Sequence, residues 1–164
     1  MKPFLEVRLQ IGGSHVNPDI CTQLLGVPPD KQWKRGECFT PVENGTEIVR
    51  KTGLWIYCIE KHVHHDDPYD PLPLVNHFIR TFAEKKAAFD QIHKSMSDGE
   101  RPSFPLEYPD NLKYATISLD ISWGVVHGFY ALDKRTLETI LEIGIDEVRC
   151  GFVSIENEEE EGNH

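Results

Sequence analysis

Two stretches near opposite ends of the chain alternate apolar and polar residues with a period of two. In the first, Leu5, Val7, Leu9 and Ile11 interleave with Glu6, Arg8 and Gln10. In the second, Ala115, Ile117, Leu119, Ile121 and Trp123 interleave with Thr116, Ser118, Asp120 and Ser122. Successive side chains of a strand point to opposite faces, so each stretch predicts a strand with one buried face. Residues 54–59, Leu-Trp-Ile-Tyr-Cys-Ile, run apolar without a break. That run predicts a strand covered on both faces and lying centrally in a sheet.

The segments between these strands read as helices, because their ends are punctuated. Asn17 can cap a helix over residues 18–25, with Pro18 at N1, where its missing N–H costs nothing. Ile20, Leu24 and Leu25 give it an apolar face, Gly26 supplies a left-handed stop, and Pro28-Pro29 forbids continuation. Asp70 and Pro71 open a longer helix in which Leu74, Val75, Phe78, Ile79, Phe82, Phe89 and Ile92 recur at helical spacing to about residue 94. A third helix starts at Asp133, with Leu132 placed to staple onto Leu137. Leu137, Ile140 and Leu141 form its apolar face, and Gly144 ends it before a last strand over residues 148–155.

Residues 30–53 read as a loop with strand pieces near 36–39 and 47–50. Residues 95–111, with Gly99 and several prolines, read as a long excursion and a candidate binding loop. Strand, capped helix, glycine stop and further strand occur at 4–27 and again at 115–145, where Leu24-Leu25-Gly26-Val27 is echoed by Glu142-Ile143-Gly144-Ile145. The expected fold class is α+β: an antiparallel sheet with helices packed on one face, with the echo extending the expectation to two ferredoxin-like halves. One domain is expected over residues 1–155, followed by a disordered acidic tail over 156–164.

Composition sets the outer limits on function. With 164 residues, 39% hydrophobic and 27% charged, the chain suits a single folded core. No apolar run approaches the roughly 18 residues of a membrane span, and Glu6 and Arg8 interrupt any leader-like stretch, so cytoplasmic residence is expected. Cys21, Cys38, Cys58 and Cys150 form no Cys-x-x-Cys pair; Cys21, Cys58 and Cys150 sit in apolar patterns and are expected in the core. The net charge is −10, and Glu156, Glu158, Glu159, Glu160 and Glu161 supply half of it. Without a Lys/Arg cluster, nucleic acid and anionic membranes are disfavoured as partners. A basic protein is the natural complement, and a solvated tail that only aids solubility is the alternative.

Two clusters are candidates for chemistry. His62, His64 and His65 with Asp66 and Asp67 have metal-ligand chemistry, but on a strand His62 and His64 share a face that His65 does not. A further ligand would have to come from His127 or Asp120, far away in sequence. The expectation is a polar surface turn, with no metal or other cofactor. Trp33-Lys34-Arg35-Gly36-Glu37 places a Trp beside two cations in a glycine-punctuated segment, the composition of an interface anchor. The plain alternative is a Trp packed over a sheet edge with its neighbours solvated. The candidate partner-binding residues are Trp33, Lys34, Arg35, Glu37, His64, Asp66, Asp67, Glu158, Glu159 and Glu160. No Gly-x-Ser-x-Gly, phosphate loop or dinucleotide fingerprint occurs, so no catalytic residues are assigned and no enzyme is expected.

The order of Asn17-Pro18-Asp19-Ile20, residues 24–30 (Leu-Leu-Gly-Val-Pro-Pro-Asp), Lys34-Arg35-Gly36-Glu37, a lone Trp55 and a closing Ile143-Gly144-Ile145 resembles the bacterial domain-of-unknown-function family catalogued as 4279. The resemblance spans roughly residues 4–155. It implies an α+β fold and brings no established reaction; members resemble small bacterial proteins that sit beside toxin genes as immunity proteins. The acidic tail and the 95–111 segment depart from the family pattern. The expected function is a non-catalytic intracellular binding protein, an immunity-type inhibitor of a basic toxin domain. The alternative is a metal-dependent hydrolase or small-molecule binder built on His62, His64 and His65.

Overall fold

The alternating stretches pair with each other as neighbouring strands. The computed structural model describes residues 4–40, 45–62, 70–96, 116–124 and 132–153. In chain order these form β1 (Phe4–Gly13), α1 (Pro18–Leu25), β2 (Lys31–Trp33), β3 (Cys38–Phe39), β4 (Ile48–Val49), β5 (Gly53–His62), α2 (Leu72–Phe82), α3 (Lys86–Met96), β6 (Thr116–Gly124), α4 (Lys134–Ile143) and β7 (Glu147–Val153). The main sheet has the order β2-β5-β1-β6-β7, and β3 pairs with β4 in a separate two-stranded piece.

The fold is α+β, with the helices on one face of the sheet. β1 lies between β5 and β6 and is antiparallel to both. Its residues Leu5, Val7, Leu9 and Ile11 join Trp55, Ile117, Leu119 and Ile121 in one core with Leu25, Val75, Phe78, Phe82, Phe89, Ile92, Ile140 and Ile143 from the helices. The apolar run of β5 lies second from the sheet edge rather than at its centre: Leu54, Trp55 and Ile56, which pair with β2, are buried, while Tyr57, Cys58 and Ile59 are half-buried. Trp55 also ties the sheet to α1, because its indole N–H donates to Thr22 Oγ1 at 3.0 Å.

The sheet is mixed rather than antiparallel throughout. β7 runs parallel to β6, which follows from α4 crossing over between them. The two segments with the echoed sequence therefore have different outcomes: α4 returns the chain to the same sheet edge, whereas β2 after α1 pairs with β5. Among the described residues both echoed segments feed one five-stranded mixed sheet, β2-β5-β1-β6-β7, beside the two-stranded piece.

The helix punctuation holds in detail. Asn17 accepts from the Asp19 amide (3.0 Å) and Asp133 from the Thr136 amide (2.8 Å). Gly26 and Gly144 are both left-handed, at φ 72° and 111°. Asp70 accepts from the Leu72 amide at 2.9 Å. The long helix is broken, however, by a 3₁₀ turn at Ala83–Lys85. There Lys85 occupies the position where the apolar rhythm Val75, Phe78, Phe82, Phe89 calls for a buried residue, and a charged group cannot follow it into the core.

Two apolar positions expected on the buried helix faces point outward instead. Ile20 is exposed while Cys21 is buried, and Leu141 is 52% exposed while Ile143 is buried. Of the cysteines expected in the core, Cys21 is there, with its thiol pushed up to about 12 by burial. Cys58 is half-buried on the opposite sheet face, and Cys150 is exposed because β7 is an edge strand.

Candidate functional site

The face of the sheet opposite the helices carries the polar half of the alternating pattern, and strand register brings that half into rows. Arg8 stands opposite Cys58 on one side and Asp120 on the other, and Asp120 opposite Arg149. The neighbouring row is Glu60, Glu6, Ser122 and Gly151. Phe4, opposite Gly124, begins the next. Side chains directly opposite in adjacent strands are within contact range, so these rows are physical neighbours.

Ser122 and Gly151 are small, with Asp120 and Arg149 on one side of them and Phe4 on the other. The result is a groove of about 360 Å³ lined by Phe4, Glu6, Arg8, Asp120, Ser122, Arg149 and Gly151. Its far end along the strands is different: there Leu54, Ile56 and Ser118 of the same face are buried.

The groove lining carries two carboxylates, Glu6 and Asp120, and two guanidiniums, Arg8 and Arg149, with Glu147 beside it. Glu6 lies 2.7 Å from Arg8 Nη2 and accepts from Ser122 Oγ at 3.4 Å. Arg149 Nε is paired with Glu147, and its Nη1 is 3.8 Å from Asp120 Oδ1. The two guanidiniums are thus shared among three carboxylates, of which Glu6 and Asp120 line the groove. Burial pushes the Asp120 carboxyl above its ordinary range, against the pull of Arg149 and Arg8 and with the help of Glu147 and Glu6. For Arg8, burial works to lower the pKa, but Glu6 and Cys58 outweigh it and the guanidinium is held more firmly charged. Cys58 is raised, first by burial and then by Glu6, against Arg8, so its thiol is not activated. Arg8 Nε and Asp120 Oδ1 are shut from solvent and make no hydrogen bond. A site of this kind can recognise a charged side chain by ion pairing and hydrogen bonding.

The segment expected to anchor a partner lies elsewhere. Trp33 is half-buried at the end of β2, an edge strand. The Arg50 guanidinium lies over its ring at 4.0 Å and over Phe39 at 3.5 Å, so Trp33 and Phe39 already clamp a cation. Lys34 is ion-paired with Asp19, and Arg35 Nη1 donates to Ser14 O at 3.5 Å. Glu37 is exposed, and its carbonyl accepts from the Arg50 amide at 2.8 Å. These residues fasten the connection after β2 to α1 and to β4. Strands are spaced about 4.8 Å apart, so the sheet order puts β2 about 19 Å from β7, at the opposite end of the sheet from the groove.

His64, His65, Asp66 and Asp67, like Glu158, Glu159 and Glu160, lie outside the described residues, as do the 97–111 part of the expected loop and the tail after residue 155. His62 closes β5. Among the described residues no group of three or more His, Cys, Asp or Glu side chains could hold a metal ion, and no helix is long and apolar enough to cross a membrane.

The groove residues were visible in the sequence only as the solvent side of two strands. Their signal is opposite charge at alternating positions, Glu6 and Arg8 in β1 and Asp120 in β6. Register, which sequence does not supply, is what joins them.

The family model described as Domain of unknown function (DUF4279) matches residues 3–97. That span runs from β1 through α3 and stops before β6, so the matched part contributes Phe4, Glu6 and Arg8 to the groove, and the remainder contributes Asp120, Ser122, Arg149 and Gly151. No curated protein and no solved structure matches the chain.

Proposed function

Because the chain belongs to the DUF4279 family, whose description names no reaction, we propose its function from its own surface: it is a non-catalytic binding protein that docks a basic protein on the sheet face opposite its helices. The observation that carries this reading is the Asp120 carboxylate in the groove, whose nearest guanidinium contact, Arg149 Nη1, is long at 3.8 Å. The net charge of −10 supports it at long range, because complementary fields speed encounter and orient the partners. In its narrower form the proposal makes the partner a toxin domain in the cytoplasm, a nuclease for example, whose basic substrate groove this protein covers. The acidic balance and the family resemblance support that form.

The test is capture from the source cells with the tagged protein as bait, followed by association kinetics. The captured protein carries a basic surface, and its on-rate falls steeply as ionic strength rises past the point where the Debye length is about 8 Å. Removing residues 156–164 lowers the on-rate more than it raises the off-rate. Capture of no basic protein, or binding indifferent to salt, contradicts the proposal.

A further inference from the structure

We propose that the groove over Ser122 and Gly151 is an arginine pocket, which receives a guanidinium side chain of the basic partner. This rests on the reading of the opposite sheet face as the docking surface, and it names the chemical group that the surface selects.

Shape gives the first argument. The groove exists because Ser122 and Gly151 are small where their row would otherwise carry larger side chains. Among the described residues a Cβ added at Gly151 meets nothing within 4 Å, and Gly151 itself is exposed. About 360 Å³ accommodates one long side chain with its attached backbone. Phe4 forms an apolar wall on which the stem or the flat face of a guanidinium can lie.

Charge gives the second. An incoming anion would need Arg8 or Arg149, but Glu6 already pairs with the first and Glu147 with the second. Asp120 stands in the row between those two arginines and would repel an anion. An incoming cation finds one carboxylate that is less fully engaged. The Asp120 side chain is 23% exposed, its nearest guanidinium contact is long at 3.8 Å, and Glu6 and Ser122 Oγ sit one row away. A planar fork of N–H donors can span these oxygens, and it sheds water more readily than an ammonium does, which favours arginine over lysine.

The experiment is a titration of the isotope-labelled full-length protein, followed by amide NMR at pH 7. The probe is N-acetyl-arginine-N-methylamide, and N-acetyl-glutamate-N-methylamide is the control. The arginine probe shifts the amides of Ser122, Arg149 and Gly151 saturably in the millimolar range, and the glutamate probe does not. Gly151→Leu fills the space and abolishes the shifts. Asp120→Asn weakens them about tenfold, as expected for loss of a charge-assisted pair, and keeps the fold if Gly151→Leu fails to. No saturable shift, equal shifts from both probes, or arginine shifts that survive both substitutions overturn the proposal. Failure of the wider reading is distinguishable. If the arginine probe binds but the captured partner is insensitive to Gly151→Leu, the pocket stands and the docking surface falls. If the partner binds and the probe does not, the pocket falls alone.

Discussion

Arg149 Nη1 lies 3.8 Å from Asp120 Oδ1, beyond hydrogen-bond range, although that oxygen is closed to solvent. The two residues are direct partners across β6 and β7, so the register brings the charges together and the side chains stop short of a bond. Burial raises the pKa of this carboxyl, and the nearby Arg149 and Arg8 offset only part of that rise.

Ionised Asp120 therefore costs stability, and the sign follows from linkage. The folded carboxyl binds its proton more tightly than the unfolded one, so its contribution is fully present below the ordinary carboxylate range and is lost as pH rises through the raised folded value. Asp120→Asn, which keeps shape without charge, raises the melting temperature at pH 7 and has little effect at pH 3. Thermal scans across that interval check it; a loss of stability at pH 7 would show that the ion pair with Arg149 dominates. Stability given up at a buried charge is a common mark of a functional surface.

Asp133 responds in the opposite sense. Its carboxylate accepts from the Thr136 amide at the start of α4, and that bond lowers its pKa. Its stabilisation is present above the ordinary carboxylate value and disappears as pH falls through the lowered one. Asp133→Ala lowers the melting temperature at pH 7, and the difference from wild type shrinks on acidification. Equal losses at both pH values would mean the cap acts without its charge.

The two helix-ending glycines are not equivalent. Both are left-handed, so alanine at either is strained by about 1 kcal/mol. At Gly26 the added Cβ meets only Lys85 Nζ at 3.5 Å, an ordinary contact with a flexible group. At Gly144 it would lie 2.9 Å from Phe89 Cβ inside the core, which adds about 1–3 kcal/mol of overpacking. Denaturant unfolding should thus rank Gly144→Ala well below Gly26→Ala. Equal losses would contradict the tight packing of α4 against α3.

Much of the fold was legible because its signals are local. Asn17, Pro18 and Gly26 bounded α1 to the residue, and alternation located β1 and β6. The pieces near 36–39 and 47–50 are β3 and β4, while the short β2 went unseen because Lys31, Gln32 and Trp33 carry no periodic pattern. What failed depends on distant contacts: the parallel β6–β7 pair, the exposure of Ile20 and Leu141, and the break at Ala83–Lys85. The groove failed for the same reason. Glu6, Arg8, Asp120 and Ser122 were each legible as polar strand positions, but their meeting requires β1 to sit beside β6 in one register. Gly151, whose missing side chain opens the groove, has no signal in the sequence at all.

Binding of the captured basic partner to wild type, Gly151→Leu and Trp33→Ala, measured side by side at about 150 mM salt, tests the central claim most directly. The groove and Trp33 lie at opposite ends of the sheet, so the comparison separates the two surfaces. The account predicts that Gly151→Leu raises Kd about tenfold or more through the off-rate, while Trp33→Ala, whose ring is already stacked on Arg50, has a smaller effect. An unchanged Kd for Gly151→Leu together with a large loss for Trp33→Ala would contradict it, and would move the partner to the β2 edge.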